Sequence, residues 1–199
     1  MVHISIEGMD GVGKSTTCQL LAQRLGYKFV EKPLHYLFDE SEDKYDEYLK
    51  IRDKVNANPN RIFTSWFYGL GSIYMYELFK NTNIVTDRHF VSNYAWSGSE
   101  TNSEIYDLLI QKLGVPKLTV ILYSPSETIV NRLISRDKND SDIAKAKKSE
   151  MIYSRMIEFC KSKKLPFIVI DTSNLKAEEV VDKILEELSV NAVSYTHLR

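Results

Sequence analysis

The sequence predicts an α/β protein, a doubly wound parallel sheet of five strands with helices on both faces. Short apolar stretches alternate with helix-patterned ones along the whole chain, which is the pattern of strand–helix crossovers. A glycine-rich loop, Gly8-Met9-Asp10-Gly11-Val12-Gly13-Lys14-Ser15, sits between the first strand and the first helix. The remaining residues able to do chemistry fall where strands end, and in such sheets ligands bind at the carboxyl ends of strands.

The first strand is predicted from residue 2, with Ile4-Ser5-Ile6 alternating, and that start leaves no room for a cleaved leader. The loop after it fits G-x-x-x-x-G-K-S/T at every fixed position. Such a loop curls its backbone N–H groups around phosphate oxygens, while Lys14 adds a point charge and Ser15 offers a hydroxyl to Mg²⁺. Mg·ATP is the expected occupant. Cys18, Leu21, Ala22 and Leu25 then recur at helical spacing, and Gly26 stands where that helix stops.

Tyr27 to Val30 reads as the second strand, ending at Glu31-Lys32-Pro33. Glu31 is thereby a candidate site residue, a solvated strand-end acid being the plain alternative. Leu34 to Asn58 is charged and helical, with Tyr45, Tyr48, Leu49 and Val55 as its predicted buried edge, and its acidic run Asp39 to Asp43 reads as a solvated face. After Asn58-Pro59 comes an aromatic helix, Arg61 to Lys80, most of whose rings are expected in the core.

Asn83 to Thr86 is a short strand leading into Asp87-Arg88-His89. An aspartate there can hold Mg²⁺ through water, and the arginine can fork onto a phosphate. Lys117 to Tyr123 is the fourth strand. Ser124-Pro125-Ser126-Glu127 reads as a capping box opening a helix through Arg136, with Arg132 and Arg136 on one face. Residues 137–148 are polar and lack apolar periodicity, as a lid or a solvated loop would. A helix from Met151 to Cys160, a strand from Phe167 to Ile170 and an amphipathic helix from Glu178 to Leu188 complete the pattern.

Composition limits the function classes. With 43% apolar residues and a net charge of −1, the chain can build a core and lacks the basic footprint of a nucleic-acid binder. Its two cysteines, Cys18 and Cys160, read as packing thiols in a reducing compartment. Apolar runs such as Leu118 to Leu122 are too short to span a bilayer, so a cytoplasmic protein is expected. The last residues, Val193 to Arg199, read VSYTHLR, which looks like a translated transposase-adapter end from sequencing libraries. They are set apart from the single domain expected over residues 1–192.

From Ile4 to about Leu188 the chain resembles the thymidylate kinase family of nucleoside monophosphate kinases, with deoxynucleoside kinases as nearest relatives. The loop resembles that family's G-x-D-G-x-G-K-S/T, and Asp87 to Trp96 resembles D-R-Y/H-x-x-S-x-x-A-Y/W. Arg132 and Arg136 resemble lid arginines of members whose phosphate loop has no extra basic residue.

The resemblance implies a P-loop kinase fold, ATP and Mg²⁺, and a homodimer. It assigns the donor to Gly8, Asp10, Gly11, Val12, Gly13, Lys14, Ser15 and Thr16 with Arg132, and the metal to Ser15 and Asp87. Lys14, Arg88, Arg132 and Arg136 would be catalytic. The acceptor falls to Asp10 at its 3′-OH, Arg88 at its phosphate, Asn93 and Phe63 at its base, and Trp96 against a 2′-OH.

Two positions depart from the pattern. Phe63 fits the family's F-x-x-x-R, but Phe67 stands where the base-reading arginine belongs. Glu31-Lys32-Pro33 replaces the family's usual arginine before x-Pro, and Lys32, Arg52 or Arg61 would have to supply the missing charge. A glutamate there suits a 5′-hydroxyl acceptor, which needs a base, whereas a phosphate acceptor needs cations. A monophosphate kinase is therefore the primary expectation and a deoxynucleoside kinase with Glu31 as base the alternative. A nucleotide-binding switch or ATPase is the alternative of another class.

Overall fold

The computed structural model describes residues 1–37 and 45–196. Five strands, β1 (His3–Gly8), β2 (Lys28–Glu31), β3 (Ile84–Asp87), β4 (Leu118–Tyr123) and β5 (Phe167–Asp171), pair in parallel in the order β2-β3-β1-β4-β5. The nine helices of the described residues are α1 (Lys14–Leu25), α2 (Tyr45–Ala57), α3 (Arg61–Leu78), α4 (Phe90–Ser97), α5 (Ser103–Leu113), α6 (Ser126–Arg136), α7 (Ile143–Ala146), α8 (Ser149–Ser162) and α9 (Ala177–Thr196). Helix α1 packs on α9, and α4 packs on α3 and α8.

Although Ile4-Ser5-Ile6 alternates in polarity, every residue of β1 is buried, because β1 is the middle strand and both of its faces are covered. Burial then requires partners for its polar groups, and Ser5 Oγ donates to Thr119 Oγ1 on β4 at 3.3 Å. Strands β2 and β3 each end one residue later than the sequence pattern places them. That shift sets Glu31 beside Asp87 in the β2–β3 register, both at carboxyl ends.

The expectation that most of the aromatics of Arg61 to Lys80 are core fails at Phe63 and Trp66, which are exposed, while Phe79 is buried and Tyr76 packs on the core. The buried side of α3 is Thr64, Ser65, Gly69, Gly71, Ser72 and Met75, small residues that let neighbouring elements approach closely, as where Leu34 packs against Gly71. Phe63, Trp66, Leu70 and Ile73 recur at helical spacing on the opposite side and are exposed.

The capping box expected at Ser124 does not form. Pro125 occupies the cap position of α6, and the Ser124 hydroxyl instead bonds Thr172 Oγ1 at 2.9 Å beyond β5. The lid segment contains the single turn α7, tied back by Ser126 Oγ donating to Ala146 O at 2.9 Å. Tyr48 and Val55 form the buried edge of α2 as expected, while the acidic run 39–43 lies outside the described residues. Both cysteines are buried, and burial pushes the Cys160 thiol up to about 12, as packing thiols require.

Candidate active site

The loop after β1 is shaped by glycines. Gly8 has φ +142° and lies so close to β4 that a Cβ there would sit 2.5 Å from Leu122 O, and Gly13, at φ +95°, turns the chain into α1. Behind them Val12 is buried, its carbonyl accepting from Thr172 Oγ1 at 3.2 Å. Asp10, Gly11, Gly13, Lys14, Ser15 and Thr16 open onto a cleft of about 1060 Å³ bounded by the strand ends, α2, α3, α4 and the lid. Nine basic and five acidic side chains line it in a chain whose net charge is −1, so the cleft concentrates positive charge.

Three charges meet at its floor. Arg88 Nη2 donates to Asp10 Oδ1 at 2.7 Å, and its Nη1 donates to Gly8 O at 3.0 Å. Lys14 Nζ donates to Met9 O at 2.8 Å and lies 3.5 Å from Asp10 Oδ1. Burial alone would raise the Asp10 carboxyl, but the Arg88 guanidinium and the Lys14 ammonium hold it well below the usual carboxylate range. Burial and the neighbouring Arg88 pull the Lys14 ammonium down in turn.

Beside them Ser15 Oγ donates to Asp87 Oδ2 at 2.7 Å. Two hard oxygens at this spacing, one hydroxyl and one carboxylate, fit Mg²⁺ that takes its other ligands from phosphate and water. Among the described residues no three of His, Cys, Asp and Glu gather into a protein-only metal cage.

Arg88 is held in an unusual conformation. Its φ is +75°, a region an L-residue seldom occupies, and its N–H donates to Ile6 O at 2.9 Å, anchoring the turn to β1. The buried Glu7 reinforces this turn: its Oε2 accepts from Ser92 N at 3.1 Å and from Ser92 Oγ at 2.5 Å, while Oε1 has no partner among the described residues. Behind Arg88, His3 shares hydrogen bonds with Tyr76 Oη at 2.8 Å and Thr86 Oγ1 at 2.9 Å. The ring of His89 stands edge-on to His3 at 4.7 Å with neither nitrogen partnered among the described residues.

The structure redistributes the other expected residues. Glu31 lines the cleft, ion-paired with Lys32 Nζ. Asn93 also reaches the cleft wall, but its carboxamide is committed inward, donating to Ser65 O at 3.2 Å and accepting from Tyr106 Oη at 3.1 Å. Trp96 lines the cleft beside Arg61 and Lys148. Phe63 and Phe67 do not line it. Helical phase turns Thr64 and Tyr68 inward in their place, so the F-x-x-x-R frame falls one residue late, at T-x-x-x-Y.

Arg132 is engaged with the segment after β5, donating to Thr172 O at 2.6 Å and Ser173 O at 3.2 Å. Arg136 is exposed, ion-paired with Asp140 of the lid. Lys145 of α7 also lines the cleft, and its charge helps to hold the Asp10 carboxyl down.

Phosphate-loop geometry, an arginine aimed beside it and a lid of cations together make a site for transfer between phosphates. A family model described as thymidylate kinase matches residues 6–184, the span that builds the sheet and the whole cleft. The chain belongs to the thymidylate kinase family. Membership makes it a nucleotide kinase, a transferase acting on nucleoside monophosphates with ATP.

Relatives of this thymidylate kinase family agree along nearly the full chain. A probable thymidylate kinase of Methanococcus maripaludis is 27% identical over 195 residues, covering 93% of this chain and 94% of that one. A thymidylate kinase of Mesomycoplasma hyopneumoniae is 29% identical over 203 residues, covering 93% and 95%. Among solved structures, a deoxyadenosine kinase from M. mycoides superposes with a TM-score of 0.61 at 19% identity, over 95% of this chain and 100% of that one, a likeness of fold.

Several site residues carry only weak signals in the sequence. Glu7 could have been noticed as an acid inside an apolar strand, and Tyr68 by taking the helical phase of α3 from Thr64. Lys145 lies in the lid segment, but nothing local separates it from Lys147 or Lys148.

Proposed function

We propose that this kinase transfers the γ-phosphoryl group of ATP directly to the 5′-phosphate of a nucleoside monophosphate, with dTMP-like acceptors as the substrate class. The observation that carries the reading is the Arg88–Asp10–Lys14 cluster on the cleft floor: a half-buried arginine held beside the phosphate loop, where an ionised acceptor needs cations. Glu31, the residue that would serve a hydroxyl acceptor, is neutralised by Lys32.

The loop N–H groups and Lys14 hold the donor phosphates, Lys14 exchanging Met9 O for phosphate oxygen. Ser15 and Asp87 would hold Mg²⁺, which would supply charge neutralisation to the donor phosphates. Arg88 forks onto the acceptor phosphate and Asp10 faces the sugar 3′-OH. An acceptor phosphate oxygen attacks in line, the bond from Pγ to the β–γ bridging oxygen breaks, and ADP and a nucleoside diphosphate leave. Arg136 and Lys145 close over the transferring group and exclude water, whereas Arg132 walls the donor site through Thr172 and Ser173.

The alternative in which Glu31 is a general base for a nucleoside draws on one observation, its position in the cleft in register with Asp87. An acceptor panel separates the two. With Mg·ATP, turnover on dTMP but not thymidine supports the monophosphate reading, and turnover on thymidine that Glu31→Gln abolishes overturns it. ATP consumption independent of every acceptor would favour the switch or ATPase.

The working form is a homodimer in the cytoplasm. A second copy covering the outer face of α3 would bury Phe63, Trp66, Leu70 and Ile73, which a monomer leaves in water. None of the described helices is long and apolar enough to cross a membrane.

A further inference from the structure

Arg61, the first residue of α3, stands at the Trp96 and Lys148 end of the cleft; beyond it the cleft face of α3 holds Thr64, Tyr68, Gly71, Ser72 and Met75 and no further arginine, so a base against this wall meets other groups. Arg52 of α2 is nearby, but its guanidinium is already forked onto its neighbour, with Nε 3.0 Å and Nη2 2.7 Å from Asp53 Oδ1. What the wall does present is a bridge between α2 and α3: Tyr68 Oη donates to Asn56 Oδ1 at 2.7 Å. Both residues line the cleft. The Tyr68 phenol is kept protonated by burial while feeling the charges of Arg52, Arg88 and Lys145, which places it within electrostatic reach of the acceptor-phosphate arginine.

A hydroxyl bonded to a carboxamide has a property that an arginine lacks. With Tyr68 donating to Asn56 Oδ1, the pair leaves an amide N–H as donor and the phenol oxygen as acceptor. That order complements O4 and N3–H of thymine or uracil. Turning the carboxamide by half a rotation makes Nδ2 the donor to Tyr68 Oη. The phenol O–H is then free to donate and Oδ1 to accept, which complements N3 and the N4 amino group of cytosine. Both orders satisfy the pair internally, so neither base leaves a group unpaired. An arginine, a donor only, matches the carbonyl edge and opposes the amino one.

We propose that Tyr68 and Asn56 are the base-reading pair of this enzyme and that their reversible donor–acceptor order admits both keto and amino pyrimidine monophosphates. The proposal rests on the monophosphate kinase reading and names its acceptor class.

The test compares kcat/KM for dTMP, dUMP and dCMP with the purified full chain, Mg·ATP and the variants Asn56→Asp and Tyr68→Phe, folding being checked by circular dichroism and thermal melting. The wild type should use dTMP and dCMP within about tenfold of each other. Asn56→Asp, which can only accept, should move the ratio toward dCMP by roughly tenfold or more, the size of one exchanged hydrogen bond. Tyr68→Phe should raise KM for both, with kcat changed less.

A wild type preferring one pyrimidine by more than about a hundredfold, or a ratio that Asn56→Asp leaves unmoved, overturns the proposal while leaving the kinase reading intact. Absence of turnover on every monophosphate, with the protein folded, overturns both. Acceptor affinities measured by isothermal titration calorimetry give a readout independent of turnover and should move in parallel with KM.

Discussion

Lowering the pH should destabilise this protein through two histidines behind the Arg88 turn. His3 and His89 are buried, edge to face at 4.7 Å, and His3 is bonded only to the neutral groups Tyr76 Oη and Thr86 Oγ1. Burial pulls His3 down from 6.5 to about 3, and burial together with the neighbouring His3 ring pulls His89 well below its ordinary range. In each case the folded pKa lies below the unfolded one. The stabilisation is therefore complete above about pH 6.5 and is lost as pH falls from there toward the folded values.

At about 1.4 kcal/mol for each pH unit, His3 forfeits about 2 kcal/mol by pH 5, with His89 shifting stability in the same direction, against a total of about 5–15 kcal/mol for a typical domain. Urea unfolding at pH 7.5, 6 and 5 measures this loss, and His3→Gln should remove the His3 share of it, about 2 kcal/mol by pH 5. Because His89 follows Arg88 directly, acceptor binding should fail over the same interval. A stability that stays level between pH 7 and 5, or His3 and His89 resonances titrating near 6.5 in the folded protein, would refute the reasoning.

Glu7→Ala leaves the buried N–H and O–H of Ser92 without their acceptor and should cost about 2–4 kcal/mol in urea unfolding, with Glu7→Gln costing less; a loss below about 1 kcal/mol would count against it. Arg132→Ala should lower stability by about 1–3 kcal/mol and raise KM for ATP, because carbonyls of Thr172 and Ser173 lose their donors. Arg136→Ala should melt within about 2 °C of wild type yet turn over on the order of a thousandfold more slowly, and the opposite pattern would exchange the roles of the two arginines. Trp66→Glu should convert a dimer into a monomer in analytical ultracentrifugation, and an unchanged mass would place the interface elsewhere.

What was legible in the sequence is what depends on local spacing. The phosphate loop reads from eight adjacent residues because its chemistry is made by their own backbone, and Asp87-Arg88 reads because a strand end delivers both side chains to one place. Helix α3 misleads for a physical reason. Counting its rings implies burial, but close packing there calls for Thr64, Ser65, Gly69, Gly71 and Ser72, and Phe63 and Trp66 turn outward. The same error of phase hid Tyr68 and promoted Phe63 and Phe67. Asn93 illustrates the other limit: its spacing from Arg88 follows the family pattern, but Ser65 and Tyr106, brought in from α3 and α5, decide where its carboxamide points.

The position of β1 in the sheet also sets how the molecule must come into being. The strand nearest the N-terminus is the middle one, pairing His3 with Ile84 on one side and Ile4 with Leu118 on the other. A growing chain thus emerges with its central strand waiting for β3 on one side and, until more than half of the polypeptide has been made, for β4 on the other. Loop closure over such separations slows folding and leaves a bare apolar edge open to misassociation in the meantime. The phosphate loop inherits this lateness, since Gly8 takes its shape only against Leu122 of β4. Ribosome-bound fragments ending before β4 should therefore hold no nucleotide, however complete their glycine motif.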